Sequence, residues 1–385
     1  MSSAREPVLT GVTYWARDLG PYVWHDFDPE RTRYDLRAIA ASGLRTVRTL
    51  LSWDVFMPTV SRVNATALRD FETLLATAES LDLSVIPVLF AQTVGDCVML
   101  PPYAIDVDAP WPGVRTVTGG VVQPGGPRDQ YTDSRMAEAE QRWLEGMLAE
   151  FAGNRVVEMW DLGHDPATTV RPRRVEQLRA WTAAHAARIH DAGERCTLTL
   201  GAADITTARG VRLNVVAESV DVLGIAVDPA ALAFARSELD AGAVSFLLQL
   251  GMRLAGAVPL HAHVDCRDGA IPDADTLRRF GGDVVDRTEA VGCEGVHALH
   301  WSDCAERIAG DPPFDRHADL ARRGVVDTNG SPTAYGDGLL RAAAASGATQ
   351  LPRPWPDSLD ASDYYENLPH SIDDLYVAWQ RLGDE

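Results

Sequence analysis

Trp160-Asp161-Leu162-Gly163-His164-Asp165-Pro166 follows a short apolar run, Val156-Val157-Glu158-Met159. The run reads as a buried strand, and the polar, Gly- and Pro-bearing segment after it reads as the loop at the strand's carboxyl end. In an α/β barrel that end carries the chemistry. Outward from this point the chain alternates. Apolar runs stand at residues 9–15, 46–53, 84–90, 156–162, 196–200, 220–227, 259–265 and 295–301. Amphipathic stretches rich in Ala, Leu and Arg lie between them, at residues 31–41, 66–81, 134–151, 173–191, 211–219, 241–254, 273–291 and 333–344. In the third of these, Met136, Leu144, Met147, Leu148 and Phe151 keep to one helical face. Eight strand–helix units predict an α/β fold with a closed (β/α)8 TIM barrel. The alternative is an open doubly wound sheet, but no Gly-x-Gly-x-x-Gly follows the first strand.

Composition narrows the function. The 385 residues carry a net charge of −20 and no basic stripe that would neutralise phosphates, so nucleic acid is not an expected partner. The charge reads as a solvated acidic surface. All 35 basic residues are arginine. Without lysine, Schiff-base and pyridoxal-phosphate chemistry are excluded, as is a P-loop. No cofactor is expected. Residues 1–11 show no signal-peptide pattern, and no apolar run approaches about 18 residues, so no membrane association is expected and the location reads as cytoplasmic. Cys97, Cys196, Cys266, Cys293 and Cys304 are scattered and odd in number, which fits reduced thiols. Residues 1–350 are expected to form the barrel and residues 351–385 a tail packed on it. A long Pro- and Gly-rich loop, residues 92–133, follows the third strand and belongs on the catalytic face.

The segment from Trp160 to Pro166 resembles the fourth strand end of retaining (β/α)8 glycoside hydrolases of the cellulase and mannanase type, the family 5-like members of clan A. There the pattern is Trp-Asp-Leu-Gly-Asn-Glu-Pro, with the Glu as general acid/base. Here His164 and Asp165 stand in the last two polar places. Gly11-Val12-Thr13-Tyr14-Trp15 is similar to the family's first strand, and Val47-Arg48 with Trp53 and Phe56-Met57-Pro58 to its second. Leu89-Phe90 matches the third, and His300-Trp301-Ser302-Asp303 the eighth. Asp363-Tyr364-Tyr365 and Leu375-Tyr376 extend the likeness into the tail. The resemblance implies that Arg48 contacts the nucleophile, that Trp301 floors the sugar site, and that the ligand is a small glycoside or oligosaccharide.

Both catalytic positions are altered. Retaining hydrolysis needs two carboxyls about 5–5.5 Å apart across the scissile bond. Asp165 is one methylene shorter than Glu, and a misplacement of about 1 Å costs roughly a hundredfold in rate. In the seventh strand the family places Glu after Pro and four mostly apolar residues. Here Pro259 leads to Leu260-His261-Ala262-His263-Val264-Asp265-Cys266, so the position falls on Val264 without a gap and on Asp265 with a one-residue slip. Strand alternation puts His261, His263 and Asp265 on one face, expected to point inward. Gln92-Thr93 and Ala226-Val227-Asp228-Pro229 stand where the family has further sugar contacts.

The candidate catalytic residues are therefore Asp165 and Asp265, and the candidate substrate-binding residues Trp15, Arg48, Trp53, His164, His263 and Trp301. Arg48 reads equally as the partner of a mouth carboxylate or as half of a buried ion pair with Asp161 or Asp165. The first functional reading is a degenerate barrel: a carbohydrate-binding pseudoenzyme, or a barrel redirected to another reaction. The second is a working glycosidase with Asp165 as acid/base and Asp265 as nucleophile or base, inverting if their carboxyls lie about 6.5–9.5 Å apart. The third is a metal-dependent enzyme on His261, His263 and Asp265, although His-x-His pairs are common and no metal is the expectation.

Overall fold

The computed structural model describes residues 8–208, 210–256, 258–266, 273–345, 352–356 and 359–382, apart from the side chains of residues 91–92. Eight strands form the central sheet: β1 (Leu9–Thr13), β2 (Thr46–Leu50), β3 (Ser84–Val94), β4 (Trp160–His164), β5 (Cys196–Gly201), β6 (Val222–Val227), β7 (Leu260–Val264) and β8 (Gly295–Ala298). Each pairs in parallel with the next, and β8 returns to β1 with Leu9 opposite Gly295. The sheet is closed, as the alternating pattern predicts.

Helices cover the outside: α1 (Pro29–Ala41), α2 (Ala65–Glu79), α3 (Ser134–Phe151), α4 (Val175–Asp191), α5 (Leu213–Ala217), α6 (Ala241–Ala255), α7 (Ala274–Val291) and α8 (Ala334–Ala345). Asp28, Asn64, Asp133 and Asp273 cap four of them by accepting backbone N–H bonds in the first turn. The tail supplies α9 (Ala361–Glu366) and α10 (His370–Arg381). Tyr364 Oη donates to the Ile205 carbonyl, Tyr376 Oη to Asp240, and Trp379 Nε1 to Gln249, so the tail packs on the β5–α6 side of the barrel. All five cysteines are buried and none is in a disulfide. Among the described residues no helix is long and apolar enough to cross a membrane.

The fourth strand begins later than its composition suggests. Val156–Val157 make only a bridge to Val85, and the ladder starts at Trp160. Asp161 can lie inside a barrel strand because Arg48 neutralises it there. The Arg48 Nε and Nη2 groups donate to Asp161 Oδ2 at 3.0 and 2.8 Å, and Thr199 Oγ1 adds a third bond at 2.8 Å. Below this pair the interior is filled by histidines. His263 stacks on His297 with ring centres 5.1 Å apart, and His261 lies 5.3 Å from the same ring. Gly11 and Gly295 make the room: a Cβ at Gly11 would stand 2.5 Å from His297 Cδ2, and one at Gly295 2.9 Å from His261 Nε2. The polar face of β7 thus points inward, as alternation predicts.

Candidate functional site

A cleft of about 470 Å³ opens at the carboxyl ends of the strands. Its wall is built by Thr13 and Trp15 after β1, Arg48 and Leu50 of β2, Thr93–Gly95 at the end of β3, His164 of β4, Asp265 after β7, and Leu299 and His300 after β8. His317, Asp319, Leu320 and Arg323 complete it from the segment that follows β8. Its volume falls in the lower part of the roughly 300–1,000 Å³ range of small-molecule sites.

Of the eight candidate residues, the fold brings four into this wall: Trp15, Arg48, His164 and Asp265. The Trp15 ring lies parallel to His300, 4.2 Å between centres at 7°. His300 Nε2 donates to the Leu320 carbonyl at 2.9 Å, and burial pushes its ring down to about 4, so it is neutral. Burial, aided by the nearby Arg48 charge, pushes His164 down to about 3. His164 and His300 are therefore neutral imidazoles at neutral pH.

Asp265 sits at the mouth, but its carboxylate is already engaged. Oδ2 pairs with Arg323 Nη1, and Oδ1 accepts the Cys266 amide at 2.9 Å. Arg323 Nη2 reaches on to Asp319, so one guanidinium joins two carboxylates. Burial pushes Asp265 up to about 6 against the pull of Arg323, and the Asp228 charge adds to the rise. Arg323 was invisible in the sequence because nothing in the run Ala321-Arg322-Arg323-Gly324 marks a site. The contact spans 58 residues and exists only once the chain has returned over the mouth.

The other four stand outside the cleft wall, each for a physical reason. Asp165 takes left-handed backbone angles, φ 52° and ψ 60°, which turn its side chain toward α-helical residues 166–169 and away from the opening. Its Oδ2 accepts Thr168 Oγ1 at 2.6 Å, and lies so close over Gly201 that a Cβ there would be 2.9 Å away. Burial raises its carboxyl, and Asp204 next to it is pushed up to about 7 by burial and by the charge of Asp165. Trp53 stacks on Trp143, ring centres 5.3 Å apart, and is almost fully buried. His263 lies below the Arg48–Asp161 pair, with Nε2 3.4 Å from Thr199 Oγ1. Trp301 belongs to the main hydrophobic core, because β8 ends at Ala298 and the chain starts a new short strand, His300–Ser302, paired with Gly324–Val326. That break presents His300 to the cleft in place of Trp301.

The residues of the metal alternative are engaged separately. His261 lies 3.6 Å from Glu294, at the opposite end of β7 from Asp265, while Asp265 is held by Arg323. Among the described residues no three His, Cys, Asp or Glu side chains gather to hold a metal ion. Burial pushes the Cys97 and Cys304 thiols up to about 12, far from a reactive thiolate. Of the third-strand departure from the family pattern, Thr93 meets Thr169 at 3.2 Å, whereas the Gln92 side chain lies outside the described residues.

No protein-family model matches this chain. No curated protein sequence matches it either. Solved structures do. A GH5_18 protein from Streptomyces cattleya, in complex with Manβ1-4GlcNAc, superposes with a TM-score of 0.79 at 19% identity, over 99% of this chain and 91% of that one. A GH5_18 protein from Bifidobacterium longum subsp. infantis gives 0.79 at 16% identity, over 98% and 89%. The exo-β-1,4-mannosidase Op5Man5 from Opitutaceae bacterium strain TAV5 gives 0.75 at 16% identity over 89% of this chain, which spans only 60% of that enzyme. At these identities the likeness establishes the fold, a (β/α)8 barrel.

Proposed function

We propose that this barrel binds a small saccharide or glycoside and does not hydrolyse it by the retaining route. The observation that carries the reading is that the two carboxyls among the described residues of the cleft wall, Asp265 and Asp319, share the single Arg323 guanidinium instead of facing each other across open space. Asp165 is folded away against Thr168 and Gly201. Asp265 has its Oδ2 on Arg323 and its Oδ1 on the Cys266 amide, so both of its oxygens are already engaged. Retaining cleavage needs both groups within about 5–5.5 Å of each other and in reach of one sugar carbon. What remains suits recognition. The Trp15–His300 pair lines the cleft beside imidazole, guanidinium and threonine hydroxyl groups, a mixture of apolar and polar surface fitted to a ring with one apolar face and several hydroxyls. The Manβ1-4GlcNAc held by the Streptomyces protein supports a ligand of that class.

A working glycosidase keeps one observation in its favour. Asp265 remains in the cleft with its carboxyl raised to about 6, close enough to neutral pH for the general-base role that reading gives it. One experiment separates the two readings. Calorimetry with Manβ1-4GlcNAc should show binding that Trp15→Ala weakens at least tenfold, while aryl β-glycosides are turned over no faster than by Asp265→Asn. Turnover that both Asp165→Asn and Asp265→Asn abolish would establish the hydrolytic reading instead.

A further inference from the structure

Over the cleft, Arg115 fastens together two loops that are far apart in sequence. Its Nε and Nη2 groups donate to Asp96 at 2.8 and 2.7 Å, and Nη1 and Nη2 donate to Asp315 at 2.7 and 2.9 Å. His317 and Arg316 each approach Asp96 to 3.6 Å. Only 11% of the Arg115 side chain is exposed, so this is a sheltered bidentate clasp rather than a loose surface pair. Asp96 follows β3 and Asp315 follows β8. In the closed sheet β1 and β2 stand between those strands, so the clasp crosses above the carboxyl ends of β1 and β2.

The space beneath the clasp is packed. Trp15, Tyr22, Val94, Val117 and Phe314 belong to a second hydrophobic cluster, separate from the barrel's own core. The two loops touch closely enough that a Cβ on Gly95 would lie 2.9 Å from Leu320 Cδ1 and 3.2 Å from Pro313 Cβ. Val94, Gly95, His317 and Leu320 are at the same time part of the cleft wall. The wall on this side is thus the inner surface of a small apolar core with ion pairs fastened over it.

We infer that the Arg115 clasp makes the cleft blind on its β1–β2 side, so that the ligand enters as a chain end or a short glycoside and never as the interior of a polysaccharide. This rests on the saccharide reading above and deepens it. A polymer bound through its middle must leave the site in two directions, and here one of them is occupied by packed protein. Arg115 is a specificity-determining residue that acts by position and does not touch the ligand.

The test is a calorimetric titration of the full chain with Manβ1-4GlcNAc and with soluble β-1,4-mannan of defined length. One protein per chain is expected however long the mannan. Arg115→Gln and Asp315→Asn should raise that number above one on long chains, while leaving affinity for Manβ1-4GlcNAc within about twofold. Asp315 is the more exposed partner, so its variant keeps the test alive if Arg115→Gln does not fold. Several wild-type molecules on each long chain would overturn the inference, as would clasp variants that leave the stoichiometry unchanged. Failure of both short and long saccharides to bind would overturn the saccharide reading itself, a result distinct from either.

Discussion

Two arginine–aspartate pairs divide the work of this barrel. Arg48–Asp161 lies inside it, 1% and 0% exposed, with Thr199 and the Gly163 amide completing the carboxylate's bonds. Arg323–Asp265 lies at the mouth, held on one side by the Cys266 amide and continued on the other to the partly exposed Asp319. The first pair joins β2 to β4 across the barrel interior, past the intervening β3, and is saturated with partners. The second joins a strand end to a returning loop and engages both oxygens of the Asp265 carboxylate at the cleft. The same two residue types thus sit in one place among saturated interior partners and in the other at a partly open rim, and depth and partner count distinguish them.

The comparison breaks most sharply at Arg48. Arg48→Met leaves Asp161 buried without a cation, and denaturant unfolding should show a loss of about 3–5 kcal/mol. An unchanged midpoint would mean the interior pair is not scaffold. Arg323→Met should cost less, and its cost should depend on pH. Asp265 is already lifted from 3.8 to about 6, mainly by burial, so it can escape an unpaired charge by taking a proton. Its raised value contributes stability that is fully present below 3.8 and lost as pH rises through about 6. The penalty for Arg323→Met should therefore be plain at pH 8 and small at pH 4.5; a penalty equal at both would place Asp265 in the same class as Asp161. Asp319→Asn, at the exposed end, should change stability by about 1 kcal/mol or less. A larger loss would show that the mouth pair, too, is structural.

Much of the architecture was legible before any coordinates. Eight apolar runs alternating with amphipathic stretches predict the closed barrel, and the segment Trp160–Pro166 marks the rim of its cleft. Arg48 reads as either a mouth partner or half of a buried pair; the structure shows the buried pair with Asp161, and the same side chain lines the cleft, while the mouth carboxylate Asp265 pairs with Arg323. The candidate residues that left the wall did so for local reasons. One left-handed backbone position redirects Asp165, and the end of β8 at Ala298 exchanges Trp301 for His300. The long loop after β3 was expected on the catalytic face; its pairing of Cys97–Met99 with Arg115–Thr118 held no signal in its short, Gly- and Pro-interrupted pattern.

The sequence by itself determined the periodic features: which segments are strands, which are helices, and that the polar face of the seventh strand turns inward. These follow from side-chain spacing along the chain, which needs no knowledge of what lies opposite. Only the tertiary structure decided which polar groups meet at the mouth. The pairing of Arg323 with Asp265 and of Arg115 with Asp315 depends on loops returning across 58 and 200 residues, and no local pattern encodes where a loop comes to rest.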